Sequence, residues 1–149
     1  MAAGRHALRC EAHLSLGWCE GLALGEISVL ILDGHADVRD LLANRIAGQP
    51  GFRVVALTGD PAEATCLAES YRPDLVIIDI RRLQDVALCL GRIREASPAS
   101  RLVILTSYFE RGEEEAYARL GVAACLVKDA GLARCLEDLR RLAKGCPPG

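Results

Sequence analysis

The amino-acid sequence predicts an α/β protein with a five-stranded parallel sheet and helices on both faces. Three observations predict this fold class. Short apolar runs alternate with stretches of helical periodicity, as is typical of parallel sheets. Hydrophobic residues make up 51% of the 149-residue chain, which is enough to bury one core. Aromatic residues make up only 4%, so we expect that core to be aliphatic.

The first strand is predicted at Ile27–Leu32, where a continuous apolar run indicates burial on both faces. A helix follows, with apolar positions between residues 38 and 46. Gly48 and Pro50 end this helix, because neither residue favours its continuation. The second strand is predicted at residues 52–57.

The second helix begins with three signals that agree. Asp60 can cap the helix, Pro61 suits its first turn, and Glu63 completes a capping box. The helix ends before Pro73, because a residue that precedes proline avoids helical geometry.

The remaining elements continue the alternation. Apolar runs predict strands at Leu75–Ile78, 102–105 and 122–127. Helical spacing predicts helices at about 84–96, 110–120 and from the Asp129 cap to residue 144. We therefore assign residues 27–144 to one domain, residues 1–26 to an N-terminal extension and residues 145–149 to a C-terminal tail.

Composition excludes several classes of function. The formal net charge is −2, so no basic excess favours direct binding of nucleic acid. No apolar run is long enough to span a membrane, and Glu11 and Glu20 interrupt what would have to be a secretory signal. Seven cysteines without Cys-x-x-Cys spacing indicate neither a disulfide framework nor a zinc site. We therefore expect a cytoplasmic protein.

Four polar residues follow the predicted strands: Asp33, Asp79, Thr106 and Lys128. In open parallel sheets, ligands bind beyond the carboxyl ends of the strands, and a strand order of 2-1-3-4-5 would make the first and third strands neighbours. One carboxylate can act as a nucleophile towards a phosphoryl group, while the ammonium and hydroxyl groups stabilise its oxygens. Lys128 is notable because the chain has sixteen arginines and only one other lysine, Lys144.

These motifs resemble the response-regulator receiver domains of two-component signalling. The matched segments are Val29-Leu-Ile-Leu-Asp33, Arg72-Pro-Asp-Leu-Val-Ile-Ile-Asp79-Ile, Leu102-Val-Ile-Leu-Thr106 and Leu126-Val-Lys128-Asp129. The resemblance is greatest to receivers of the nitrate-response class, which carry a DNA-binding helix-turn-helix; none follows in this sequence. It implies a flavodoxin-like sheet of order 2-1-3-4-5.

The resemblance also assigns roles. Asp79 would be the phosphoacceptor, Lys128 the cation that pairs with the phosphoryl group, and Thr106 the switch hydroxyl. Asp33, Asp79 and the backbone carbonyl of Arg81 would bind Mg²⁺. The phosphoryl donor would be a sensor histidine kinase or a phosphotransfer protein, and the domain itself would not be an enzyme.

The sequence departs from the family pattern in three places. Gly34 stands where receivers carry a second metal-binding acid, so we expect Mg²⁺ binding to be weakened or absent. Arg81 and Arg82 occupy an unusual loop after Asp79, where they partly replace the missing cation, bind phosphate or are merely solvated. Cys125 stands at the aromatic switch position of the fifth strand.

Two main functional hypotheses stay open at this point. Either the domain still accepts a phosphoryl group on Asp79, or it is a degenerate receiver that binds partners without phosphorylation. A third reading is a small α/β enzyme that acts on a phosphate ester. A homodimer through the last-helix face is also predicted, from apolar positions that comprise Tyr117, Leu120, Leu132, Leu136 and Leu139.

Overall fold

The computed structural model describes residues 25–128 and 132–145. Within them, strands and helices alternate in the order β1 (Ile27–Leu32), α1 (Ala36–Ala47), β2 (Phe52–Thr58), α2 (Pro61–Tyr71), β3 (Leu75–Ile78), α3 (Val86–Ala96), β4 (Arg101–Thr106), α4 (Glu113–Arg119), β5 (Ala124–Val127) and α5 (Leu132–Ala143). The strands pair in parallel in the order β2-β1-β3-β4-β5. The predicted fold class and sheet order are therefore confirmed.

The sheet separates two apolar layers, because successive residues of a strand point to opposite faces. On one face, Leu67 of α2 and Leu90 of α3 pack in a cluster with Leu30 and Val76. On the other face, Ile46 of α1 and Leu139 of α5 pack in a cluster with Ile31. Nearly all of these buried side chains are aliphatic, as composition predicts.

Local capping explains where the helices begin. The side chain of Asp60 accepts a hydrogen bond from the N–H of Ala62 at 3.1 Å, so the predicted start of α2 is confirmed. Helix α4 is shorter than predicted: it begins only after Gly112, which has φ of 85° and breaks the helical path. Helix α3 likewise begins later, where Asp85 caps it.

Some sequence predictions fall outside the described residues. They include the Asp129 cap, residues 1–24 of the N-terminal extension and residues 146–149 of the tail. Among the residues that are described, no helix is long and apolar enough to cross a membrane.

The apolar residues expected to form a dimer surface are largely core residues. Tyr117, Leu136 and Leu139 are all buried. The outward side of α5 instead carries charged side chains, with Glu137 and Arg141 as an i,i+4 pair at 3.8 Å. Burial removes the main apolar anchors of the predicted dimer, which stays a prediction.

Candidate functional site

Strand register brings two aspartates to one edge of the sheet. Leu32, the last residue of β1, pairs with Ile78, the last residue of β3. Asp33 and Asp79 follow them directly, and the N–H of Asp79 donates to the carbonyl of Leu32 at 2.9 Å. Their side chains are only 2% and 6% exposed. Two carboxylates so far from solvent need positive charge or hydrogen-bond donors around them.

Lys128 supplies that positive charge. Its Nζ atom lies 2.8 Å from Oδ2 of Asp33 and 2.6 Å from Oδ2 of Asp79. Burial acts to lower the pKa of Lys128, but its hydrogen bonds to Asp33 and Asp79 outweigh that effect and raise the pKa above its ordinary value. Lys128 is therefore a fixed ammonium ion that bridges the two carboxylates.

The remaining carboxylate oxygens also accept hydrogen bonds. Oδ1 of Asp79 accepts from the backbone N–H of Arg81 at 2.9 Å and from Oγ1 of Thr106 at 3.3 Å. Oδ1 of Asp33 accepts from the backbone N–H of His35 at 2.9 Å. Thr106 is fully buried at the end of β4. The structure thus brings together all four strand-end residues that the sequence predicts.

A divalent metal finds an incomplete set of ligands here. Among the described residues, Asp33, His35 and Asp79 offer ligand atoms within 4.8 Å of one another. Gly34 offers no side-chain oxygen, and a Cβ atom built on it would lie 2.9 Å from Cδ of Arg82. The space of a second acid is therefore already filled, and the expected backbone carbonyl ligand of Arg81 stays a prediction.

His35 is also poorly placed as a metal ligand. Its Nε2 atom accepts a hydrogen bond from Nε of Arg82 at 3.1 Å. In a neutral imidazole, the other nitrogen then carries the proton, and Nδ1 lies 3.6 Å from Oδ1 of Asp33. Neither nitrogen presents a free lone pair to an ion, and Mg²⁺ prefers oxygen ligands. The residues present therefore do not fit the full metal site that the resemblance implies.

Arg81 and Arg82 have different environments although they are adjacent. The guanidinium of Arg81 makes two hydrogen bonds to the carboxylate of Glu113, at 2.8 and 3.1 Å. It also lies 4.5 Å from the ring centroid of Tyr108. The guanidinium of Arg81 therefore pairs with the start of α4, and it is the backbone N–H of Arg81 that donates to Asp79. The suggestion that both arginines replace a missing cation is wrong for Arg81.

Glu113 links the loop that carries Arg81 to Tyr117, a residue of the core. Burial acts to raise the pKa of Glu113, but hydrogen bonds from the Glu110 N–H and from Arg81 lower it overall. Glu113 also accepts a hydrogen bond from the hydroxyl of Tyr117 at 3.0 Å. Burial and that hydrogen bond raise the pKa of Tyr117 to about 12. The sequence predicted Tyr117 as an apolar position only and gave no role to Glu113.

Cys125 occupies β5 beside this network. It is partly buried and packs against the same apolar layer as Tyr117. Burial, with the negative charge of Glu114, raises the pKa of its thiol to about 11. Cys125 is a small side chain without a ring, so a switch that depends on an aromatic side chain cannot operate at this position.

Comparison with known proteins identifies the family. A model of the response regulator receiver domain matches residues 29–140, about three-quarters of the chain. The transcriptional regulatory protein LiaR of Bacillus subtilis is 27% identical over 123 residues, which cover 81% of this chain and 58% of LiaR. The DNA-binding transcriptional activator DevR/DosR of Mycobacterium tuberculosis is 31% identical over 119 residues, which cover 76% of this chain and 54% of that protein.

Solved structures agree with these relatives. The receiver domain of the response regulator NarL from Mycobacterium tuberculosis matches with a TM-score of 0.73 and 22% identity, over 80% of this chain and 98% of that one. The response regulator domain of Thermotoga maritima CheB matches with a TM-score of 0.69 and 26% identity, over 83% of this chain and 99% of the CheB domain. The chain spans a little over half the length of LiaR and DevR/DosR. It belongs to the response regulator receiver domain family of two-component systems.

Proposed function

We propose that this receiver accepts a phosphoryl group on Asp79 from a sensor histidine kinase or a phosphotransfer protein, and that the modified domain changes its protein partners. The proposal rests above all on Lys128. Its Nζ atom lies 2.6 Å from the nearly buried Asp79 and 2.8 Å from Asp33, which supports Asp79 as the acceptor because a fixed cation there can pair with phosphoryl oxygens.

The transfer is a nucleophilic displacement at phosphorus. A carboxylate oxygen of Asp79 forms the new P–O bond while the P–N bond of a phosphohistidine breaks, and the histidine nitrogen keeps the electron pair. Lys128 stays protonated and pairs with the phosphoryl oxygens. The hydroxyl of Thr106, now 3.3 Å from Oδ1 of Asp79, is placed to donate to the same group.

An apolar surface on which the phosphoryl donor can dock lies beside the pocket, which is the site formed by Asp33, Asp79, Thr106 and Lys128. Val38 and Leu41 of α1 are 39% and 55% exposed, among the most exposed large apolar side chains described. They line a cavity of about 260 Å³ that also reaches Lys128. Exposed apolar residues next to a reactive group favour contact with a partner protein.

The docking surface can be tested apart from the pocket chemistry. Leu41→Ser should slow transfer from a phosphorylated kinase or phosphotransfer protein by about tenfold, since hot-spot residues contribute on this scale. The rate of modification by acetyl phosphate, which needs no docking surface, should not change. Equal slowing of both reactions would contradict a role of this surface in docking.

The proposed function is tested by incubating the chain with acetyl phosphate and Mg²⁺ or Mn²⁺. Intact mass spectrometry should show an acid-labile gain of one phosphoryl group. Asp79→Asn should show none, whereas Asp85→Asn, in the same loop but capping α3, should still react. No mass gain in the unmodified chain with either metal would overturn the proposal.

A second candidate function is supported by Gly34 and Arg82. Together they remove one metal ligand and fill its place, so we propose that Mg²⁺ binds more weakly than in receivers with a second acid. A receiver that has lost its metal altogether can serve as a protein-interaction module without phosphorylation. An adduct on Asp79 would exclude the strict form of this alternative.

We further propose that the domain is not a turnover enzyme. The pocket holds an acceptor carboxylate and a paired cation, and each neighbouring donor stabilises the carboxylates. Steady hydrolysis of a phosphate ester in the absence of a kinase would contradict this proposal.

A further inference from the structure

Gly34 and Arg82 form a matched pair at the rim of the pocket. A Cβ atom on residue 34 would lie 2.9 Å from Cδ and 3.2 Å from Cβ of Arg82, so a side chain there and the present position of Arg82 exclude each other. Gly34 is not among the residues with positive φ, so its backbone does not require glycine. Glycine at this position leaves room for the stem of Arg82.

The head of Arg82 has unused hydrogen-bonding capacity. Its Nε atom donates to Nε2 of His35, and within residues 25–128 and 132–145 its two terminal nitrogens have no hydrogen-bond acceptor. His35 in turn lies against Asp33 through Nδ1, at 3.6 Å from Oδ1. The imidazole thus lies between Asp33 and the guanidinium of Arg82, whose terminal N–H groups are available to an anion.

Gly34 and Arg82 together change the formal charge of the pocket. A pocket with a second acid at position 34 and no arginine would set three carboxylates against Lys128, an excess of two negative charges that a divalent ion neutralises. Here Gly34 removes one negative charge and Arg82 adds one positive charge. The formal charges of Asp33, Asp79, Lys128 and Arg82 then sum to zero without a metal.

We propose that Arg82 is the resident cation of this pocket, and that Arg82 and Lys128 together bind the oxyanion carried by Asp79 in place of a divalent metal. The inference deepens the proposed phosphoacceptor function and rests on it. An arginine presents several N–H donors in a planar fork and pairs with phosphoryl oxygens without a metal. Phosphorylation of Asp79 should then proceed even when a chelator such as EDTA removes divalent metal ions.

The first test measures adduct formation from acetyl phosphate in EDTA and in Mg²⁺. The unmodified chain should react in EDTA within about threefold of its rate in Mg²⁺, because the guanidinium of Arg82 takes the place of the metal ion. Arg82→Gln should react at least about tenfold more slowly in EDTA, the effect of one charge-assisted hydrogen bond. Arg92→Gln, an exposed arginine on α3, is the matched control and should react like the unmodified chain.

Two results of this test would overturn the inference while leaving the proposed function intact. One is an adduct that forms only with Mg²⁺. The other is an Arg82→Gln variant that reacts in EDTA as fast as the unmodified chain. No adduct in any variant under any condition would instead overturn the proposed function and the inference with it.

The second test is calorimetric titration with Mg²⁺ alone and needs no phosphorylation. Gly34→Asp should bind Mg²⁺ weakly, because Arg82 either occupies the space or pairs with the new carboxylate. Gly34→Asp combined with Arg82→Ala should bind at least about tenfold more tightly, since it restores an oxygen ligand and removes the competing charge. Equal affinity of the two variants would show that Arg82 does not hold the cation position, and circular dichroism would establish that both are folded.

Discussion

The centre and the rim of the pocket are built in different ways. The centre consists of Asp33, Asp79, Thr106 and Lys128. Thr106 is the last residue of β4 and the other three directly follow a strand, so the register of the parallel sheet fixes all four. The rim consists of Gly34, His35 and Arg82, which lie on loops: Arg82 donates a hydrogen bond to His35, and its stem lies against Gly34. The centre is therefore positioned by the fold, whereas the rim is positioned by local contacts between loops.

The difference teaches where a receiver can vary. Moving any residue of the centre would require a strand to shift its register, which would turn its core side chains to the wrong face. A change at the rim alters only a loop and its local charge. Chemistry that depends on the acceptor aspartate can thus persist while the source of the neutralising cation changes.

The largest expected effect follows from breaking the centre. Lys128→Met would leave Asp33 and Asp79 close together without a cation and should lower the free energy of unfolding by about 2–3 kcal/mol. This is less than for a fully buried pair because the Lys128 side chain is 21% exposed. Urea denaturation at neutral pH measures the loss.

The other lysine provides a control for this prediction. Lys144→Met, at an exposed position, should change stability by less than about 0.5 kcal/mol. Adding Asp79→Asn to Lys128→Met should recover part of the loss, because only one buried carboxylate then lacks its partner. Equal stability of the two single lysine variants would mean that Lys128 does not hold the centre together.

A smaller effect is expected from the hydroxyl of Thr106. Thr106→Val keeps the volume but removes one donor to Asp79, which retains the N–H of Arg81 and the ammonium of Lys128. The expected loss is about 1 kcal/mol of unfolding free energy, typical of one hydrogen bond. Thr65→Val on α2 should cost less than about 0.5 kcal/mol, and a reversed order of the two losses would contradict the geometry.

The two adjacent arginines offer the sharpest comparison of neighbouring positions. Arg81→Gln should cost about 1 kcal/mol, since it breaks a two-point ion pair with Glu113 that is about one-fifth exposed. Arg82→Gln should cost less than about 0.5 kcal/mol, because its guanidinium is exposed. A larger loss in Arg82→Gln would contradict this assignment of one arginine to structure and the other to the pocket.

The stability cost of Arg81→Gln should depend on pH. The pKa of Glu113 lies below its ordinary value of 4.5, so the stabilisation that it provides is present above that value and is lost as the pH falls through the lowered pKa. The difference between Arg81→Gln and the unmodified chain should therefore shrink well below pH 4.5. A difference that stays constant on acidification would show that Arg81 stabilises the chain mainly through Tyr108.

The sequence predicted the centre because its signals are local and follow the strand pattern. Asp33 and Asp79 come after continuous apolar runs, and the alternation of elements is enough to place these strand ends on one edge. The five strands and the cap at Asp60 were predictable for the same reason.

The rim and the Arg81 network could not be predicted in this way. The position of the Arg81 side chain depends on Glu113, which is 32 residues away in the sequence. The shorter α4 depends on the positive φ of Gly112, which helical periodicity does not reveal. The run of glutamates at the start of α4 was the available signal, but it predicts a favourable helix dipole equally well.

The central claim is that Asp79 is the acceptor, and it is tested most directly by locating the modified residue. Treatment of the acetyl phosphate adduct with borohydride reduces an acyl phosphate to the alcohol, and tandem mass spectrometry of the peptides then identifies the residue. We predict that the label lies on Asp79 and that Asp33 is unlabelled. A label on Asp33 or on any other residue, or no label at all, would contradict the account.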